Sequence, residues 1–179
     1  RAAGYTRTEH GDPMACFDVP TPFPSIALPA GFSLRSLADD NDLRKVDRVL
    51  WRGFNHGDEP PEDGDGLKGR AFMQSAPNYR HDLNIVAVAP EGHFVAYCGM
   101  WMEPGAGRCY VEPVATDPDY RRMGLGAAAV LEGIRRCAIE GARAAWVGST
   151  QPFYRSLGFH QRYRSAIWER RWGGLAGAR

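Results

Sequence analysis

Hydrophobic and polar positions change period several times along the chain, and each change marks an element. Phe32-Ser33-Leu34-Arg35-Ser36-Leu37 alternates with period two, which predicts a first strand, and Asp39-Asp40-Asn41 then offers side-chain oxygens for a helix N-cap. Leu43, Val46, Val49, Leu50 and Phe54 recur at helical spacing, so a helix with one buried stripe is expected. Trp51 stands at the margin of that stripe, as core or as the wall of a cleft. Periodicity is lost from Asn55 to Gly69, an acidic loop, and a short helix is expected around Leu67 to Ser75. Three strands follow as a meander, Leu83 to Ala89, Phe94 to Met102 and a run from Cys109, joined by Pro90-Glu91-Gly92-His93 and Pro104-Gly105-Ala106-Gly107. Cys98 and Cys109 then fall on adjacent strands, with no bridge expected. Leu125, Ala128, Leu131, Ile134 and Ala138 restore the helical period until Glu140-Gly141. Ala144-Ala145-Trp146-Val147-Gly148 is the next strand, parallel to the Cys109 strand through a right-handed crossover. Pro152 opens a short helix containing Tyr154, Gly158 closes it, and Phe159 to Arg171 alternates as a last strand that completes the sheet.

The Cys109 strand enters its helix through Asp117-Pro118-Asp119 and then Arg121-Arg122-Met123-Gly124-Leu125-Gly126. The first turn of a helix leaves backbone N–H groups without intrahelical partners, and the aligned peptide dipoles add partial positive charge there. Phosphate oxygens suit such a place, and Gly124 and Gly126 have no side chain to hold a ligand off the backbone, while Arg121 and Arg122 add full charges. A plainer reading has the glycines easing a tight turn. Two better-known phosphate loops are excluded. No Gly-Lys-Ser/Thr is present, and G-x-G-x-x-G fails because the third position after Gly126 is Ala129.

With its neighbours, this hexapeptide resembles the acyl-CoA pyrophosphate loop of the GNAT N-acetyltransferase superfamily, Arg/Gln-x-x-Gly-x-Gly/Ala. Upstream, Glu112-Pro113-Val114-Ala115-Thr116 is similar to that family's fourth strand and its bulge. Downstream, Phe153-Tyr154-Arg155-Ser156-Leu157-Gly158-Phe159 is similar to its Phe-Tyr-x-x-x-Gly-Phe segment. The layout of the resemblance runs from Phe32 to Arg171, and its motifs lie between Cys109 and Phe159. It implies an α/β GNAT acyl-CoA N-acyltransferase fold, with a mixed sheet splayed between the Cys109 and Ala144 strands and helices on both faces. It also implies acetyl-CoA as cosubstrate, no metal, and direct attack by a primary amine of a small molecule.

Carried over residue by residue, the loop Arg121, Arg122, Met123, Gly124, Leu125, Gly126 and Ala127 holds the pyrophosphate. A bulge at Val114, Ala115 and Thr116 opens a notch for the pantetheine arm, and the Val114 N–H polarises the thioester oxygen. Tyr154, which reads unaided as core, becomes the acid that protonates the departing thiolate. Glu112, on the face of Val114 if the bulge starts after it, reads as the base or as one half of an ion pair with an arginine; a glutamate near this position is base in some members only. As base it would gain strength from partial removal from water. His56, His93 and Glu103 stand in reserve. The sequence departs from the family where many members carry an asparagine, since Ser149, Thr150 and Gln151 stand there; Ser149 is the substitute contact to the pantetheine.

Composition narrows this little. The chain has 179 residues, 44% hydrophobic and 24% charged, with a formal net charge of +1, which suits one soluble domain and gives no reason to invoke nucleic acid or an acidic membrane. Four scattered cysteines, no leader and no apolar run of membrane length point to a cytoplasm. Residues 1–31 hold five of the thirteen prolines and read as a linker, or as the tail of a preceding similar domain. In the second case Ala3-Gly4-Tyr5 and Ala15-Cys16-Phe17-Asp18-Val19 echo Leu157-Gly158-Phe159 and Ala166-Ile167-Trp168, and the natural protein is a tandem acetyltransferase. The catalytic domain is then 32–172 and 173–179 a flexible tail. The carboxylates Asp58, Glu59, Glu62, Asp63 and Asp65 make the acidic loop either a lid that attracts a cationic amine or a solvated surface. The competing function is a non-catalytic acyl-CoA-binding sensor or scaffold domain. Trp168 and Trp172 mark an interface if exposed, and a homodimer and a tandem partner both stay open.

Overall fold

The computed structural model describes residues 2–103 and 105–172. In chain order the strands and helices are β1 (Thr6–Arg7), β2 (Pro13–Asp18), β3 (Ser33–Ser36), α1 (Leu43–Gly53), α2 (Asp65–Gln74), β4 (Ile85–Val88), β5 (Phe94–Glu103), β6 (Arg108–Thr116), α3 (Leu125–Ile139), β7 (Ala144–Val147), α4 (Pro152–Ser156), β8 (His160–Arg164) and β9 (Trp168–Glu169). The described residues form two compact units, one within 17–147 and the other of residues 2–16 with 148–172.

The larger unit carries a mixed sheet in the order β3-β4-β5-β6-β7, antiparallel throughout except for the parallel pair β6-β7. Side chains alternate across it. Val86 and Tyr97 join Val46, Val49 and Leu50 of α1 in one core, whereas Ala87 and Ala96 pack with Leu125 of α3 in another, so helices cover both faces. The three α1 residues are fully buried, and each contributes about 1.5–3 kcal/mol by leaving water.

The cap of α1 falls later than expected. Asp42 Oδ1 accepts from Arg44 N and Lys45 N at 2.9 and 3.3 Å, because Asp39 is already bound to the Ser36 amide and hydroxyl and Asn41 pairs with Gln74. The buried stripe also ends early. Phe54 is the C-cap and stands 46% exposed. Trp51 is half-buried, its indole Nε1 without a partner among the described residues.

The smaller unit revises the reading of both chain ends. β2 pairs with β8 through Pro13↔Arg164, Met14↔Tyr163, Ala15↔Gln161 and Cys16↔His160, and β1 pairs with β9. Residues 13–18, expected within a linker, are therefore a strand, and Ala15 and Cys16 are buried. The expected single strand from Phe159 to Arg171 is two short ones. Ser165 N and Ile167 N bond to Asp12 O and His10 O, so the chain between β8 and β9 follows the N-terminal segment instead. Trp168 and Trp172 are exposed. Residues 173–179, expected as a tail, and Pro104 of the expected turn lie outside the described residues.

Candidate active site

β6 and β7 pair only at Arg108↔Ala144, Cys109↔Ala145 and Tyr110↔Trp146. β6 then runs on from Val111 to Thr116 with no β7 partner, the splay that a notch between these strands requires. Cys109 faces Met102 and Cys98 faces Val114, so these two thiols are far apart in register, and all four cysteines are buried.

The bulge lies two residues before its expected place. The register passes from Met100↔Val111 to Cys98↔Val114, which sets Glu112 and Pro113 of β6 against Gly99 alone. A Cβ on Gly99 would collide with the Glu112 carbonyl oxygen and stand 2.9 Å from Pro113 Cδ, so this crossing requires glycine. The Glu112–Pro113 peptide is cis. Glu112 is thus inside the bulge, and the argument that placed its side chain on the face of Val114 by simple alternation fails. Glu112 is exposed, contrary to the partial burial expected of a base.

Backbone direction past the bulge follows from two hydrogen bonds. Gly107 O accepts from Arg143 N on the β7 side at 2.8 Å, and Asp117 N donates to Val95 O of β5 at 2.9 Å. Strand residues alternate, so Ala115 faces β5 like Asp117, while Val114 and Thr116 turn toward the side that β7 leaves.

At the following turn Arg121 N bonds to Pro118 O at 3.3 Å, and the next amide with an acceptor is Ala128 N, bonded to Gly124 O at 2.9 Å. Between them, the amides of Arg122, Met123, Gly124, Leu125, Gly126 and Ala127 have no partner among the described residues, and no side chain caps α3. Gly124, the N-cap, has φ 83°, a left-handed conformation open to glycine, and a Cβ there would meet nothing within 4 Å. Arg122 is exposed and also left-handed, with φ 67°. These amides, the positive end of α3 and the Arg122 charge can together receive an anion.

Arg121 is otherwise engaged. Its Nε donates to Thr116 O at 3.2 Å, and one terminal nitrogen donates to Gly53 O at 2.9 Å and to Asn55 Oδ1 at 2.8 Å. The guanidinium, expected beside the loop amides, instead ties the end of β6 to the C-terminus of α1.

Two further arginines of α1 settle the acidic loop. Arg52 Nε donates to Asp117 Oδ2 at 2.6 Å and the same guanidinium reaches Asp119 at 2.6 Å and Asp58 at 3.3 Å, while Arg48 reaches Glu59 at 2.9 Å and Asp117 at 3.4 Å. Burial alone would raise the Asp117 pKa, but the Arg52 hydrogen bonds outweigh it and hold the carboxyl below the usual range. Asp58 and Glu59 are therefore tied to arginines and Asp65 to Lys68, but Arg48 and Arg52 also serve Asp117 and Asp119, so the four carboxylates around these two arginines keep a net negative charge.

Tyr154 and Ser149 belong to the smaller unit. Tyr154 lies in α4 with Pro152 in its first turn, is 9% exposed, and its ring meets Phe153 and Phe159 edge-on at 5.0 and 5.5 Å. Ser149 Oγ accepts from Gln151 N at 3.3 Å in a local turn. Of the reserves, His56 is exposed with its ring 5.1 Å from Trp51, His93 sits in the β4–β5 turn, and Glu103 pairs with Arg108.

Sequence reasoning missed Gly99, Trp101, Asn55 and the Arg52–Asp117 pair. One signal was available, since an isolated glycine inside a strand pattern marks a bulge or a close backbone approach.

Residues 44–164 match the model of the acetyltransferase (GNAT) family. A GCN5-related N-acetyltransferase of Sphaerobacter thermophilus is similar in structure at a TM-score of 0.71 and 19% identity, over 92% of this chain and 52% of its own. An acetyltransferase of Trypanosoma brucei matches at 0.58 and 26% over 75% and 96%. The ribosomal-protein-S18-alanine N-acetyltransferase of Escherichia coli matches at 0.56 and 20% over 82% and 99%. The chain thus spans about half the length of the Sphaerobacter protein. A comparison with curated proteins finds no match.

Proposed function

The chain belongs to the GNAT acetyltransferase family, and from that premise we propose that it moves an acetyl group from acetyl-CoA to a primary amine of a small molecule. The observation that carries this reading is the run of unpartnered amides from Arg122 to Ala127 at the start of α3, beside a strand that has lost its neighbour. A diphosphate suits the first feature, and an amide-bearing pantetheine arm suits the second.

In this reading the loop from Arg122 to Ala127 binds the diphosphate through its main chain, with the charge of Arg122 added. Val114 and Thr116 present backbone groups to the pantetheine arm, and the Val114 N–H stabilises negative charge on the thioester oxygen. The amine nitrogen attacks the carbonyl carbon, the C–S bond breaks, and the amine proton passes to Glu112 directly or through water. Tyr154 supplies the proton for the thiolate; that role rests on the Phe-Tyr-x-x-x-Gly-Phe resemblance. The name of the Escherichia coli protein specifies an alanine acceptor, which supports an amine as the acceptor class here without identifying the molecule.

One observation favours the second reading, an acyl-CoA-binding sensor or scaffold: Glu112, the candidate base, is exposed. Calorimetric binding of acetyl-CoA, set beside thiol release across a panel of amines, separates the two. Binding with turnover on one amine class supports the transferase; binding without turnover on any of them supports the sensor; absence of binding removes both.

A further inference from the structure

The bulge of β6 is held by a contact outside β6. Where Glu112 and Pro113 face Gly99, the ladder with β5 is interrupted, and the Glu112 carbonyl lies so close over Gly99 that even a methyl group would not fit. That carbonyl accepts from Trp101 Nε1 at 2.9 Å. Pro113 has no N–H, so the Glu112–Pro113 peptide offers one polar group, its oxygen, and the Trp101 bond is the polar contact that fixes its plane among the described residues.

The indole is itself well anchored. Trp101 is half-buried against the α1 core and meets Tyr79 edge-on, ring centroids 5.7 Å apart. The Tyr79 hydroxyl lies 3.3 Å from that of Tyr97, which donates to Asn84 Oδ1 at 2.6 Å, and Asn84 in turn donates to Arg80 O at 2.7 Å. A buried aromatic and polar network thus sets the position of one N–H, and that N–H holds the carbonyl oxygen of the bulge. The first amide past the bulge is that of Val114, on the side from which β7 has departed.

We propose that Trp101 is a positioning residue for acyl transfer: by holding the Glu112 carbonyl it aims the Val114 N–H at the thioester oxygen. This rests on the acetyl-CoA reading above, and it adds a residue that touches neither substrate. Its loss should weaken polarisation of the thioester without weakening the grip on the diphosphate, which lies past the end of β6 at the start of α3.

The test is vibrational. Acetyl-CoA labelled with carbon-13 at the acetyl carbonyl is bound to the full chain, and the shift of its C=O stretch is recorded beside its dissociation constant. Wild type should bind and move the stretch to lower frequency. Trp101→Phe keeps the ring against Tyr79 and removes the donor. It should bind within about twofold of wild type yet lose most of the downshift, with kcat on any accepted amine reduced about tenfold, the worth of one hydrogen bond. Trp101→Leu removes the same donor with an aliphatic side chain and should also lose the downshift, so the idea remains testable if one variant folds poorly. An unchanged downshift in a folded variant overturns the inference and leaves the acetyl-CoA reading standing. Wild type that binds without any downshift also overturns it. Failure of wild type to bind acetyl-CoA removes both.

Discussion

Asp117 is 1% exposed and receives two hydrogen bonds from the Arg52 guanidinium, itself buried. Asp117→Asn weakens these buried charge-assisted hydrogen bonds but leaves Arg52 the carboxylates of Asp119 and Asp58, so it should cost about 1.5–3 kcal/mol in urea unfolding at neutral pH. The pH dependence has a definite sign. Asp117 and Glu132 both have folded pKa values below the usual carboxylate range; burial pushes each upward, but hydrogen bonds from Arg52 to the first and from Arg135 and Arg136 to the second prevail. The folded state therefore holds fewer protons, and this stabilisation is complete above the unfolded value of about 4 and fades as pH falls through the lower folded values. The gap between wild type and Asp117→Asn should accordingly shrink below about pH 4. None of this was legible in the sequence, where Asp117-Pro118-Asp119 announces a turn and nothing more, because the partner arginine stands 65 residues away. Gly124 was legible. Its left-handed φ of 83° with open space around it means that Gly124→Ala should cost about 1–2 kcal/mol of backbone strain and, by adding a methyl group to the anion cradle, weaken acetyl-CoA binding.

Among elements, periodicity located most of the helices and strands of the larger unit, since each has a buried stripe or face that writes its own spacing into the chain. The bulge was misplaced because its cause, Gly99, lies on the neighbouring strand, and register between strands leaves no mark in local spacing. Arg121 shows the same limit. Its position before Gly124 was visible, but its bonds to Gly53 O and Asn55 Oδ1 cap the C-terminal end of α1 and tie down the start of the acidic segment. Arg121→Ala should therefore speed amide hydrogen exchange around residues 53–58 while raising the acetyl-CoA dissociation constant less than Arg122→Ala does. Equal losses of acetyl-CoA affinity in the two variants, with exchange unchanged, would show that the Arg121 guanidinium serves the diphosphate and not the helix.

At the scale of the whole molecule, a net charge of +1 provides little long-range field, so on the acetyl-CoA reading the attraction has to be local, in the amides of one turn and the charge of Arg122. The pairing of β1 and β2 with strands from the far end of the chain was not legible for a related reason: the bond from Thr8 Oγ1 to Ile167 O joins residues 159 positions apart. Binding and chemistry can be told apart at this scale by heating. A ligand that binds the folded state stabilises it by about 2.7 kcal/mol at a hundred times its dissociation constant, which for a chain of this size is a rise in Tm of roughly 5–10 °C. Acetyl-CoA should give wild type that rise. Arg122→Ala, stripped of a charge beside the loop, should need more ligand for the same rise. Tyr154→Phe should show the full rise and lose most of its turnover, because a phenol that returns a proton to a departing thiolate contributes to the barrier and not to the affinity. Tyr154→Phe that turns over at the wild-type rate would remove the tyrosine from the mechanism and leave the binding site intact. A wild-type Tm that ignores acetyl-CoA at millimolar concentration would remove the site itself, whatever the amides between Arg122 and Ala127 look able to hold.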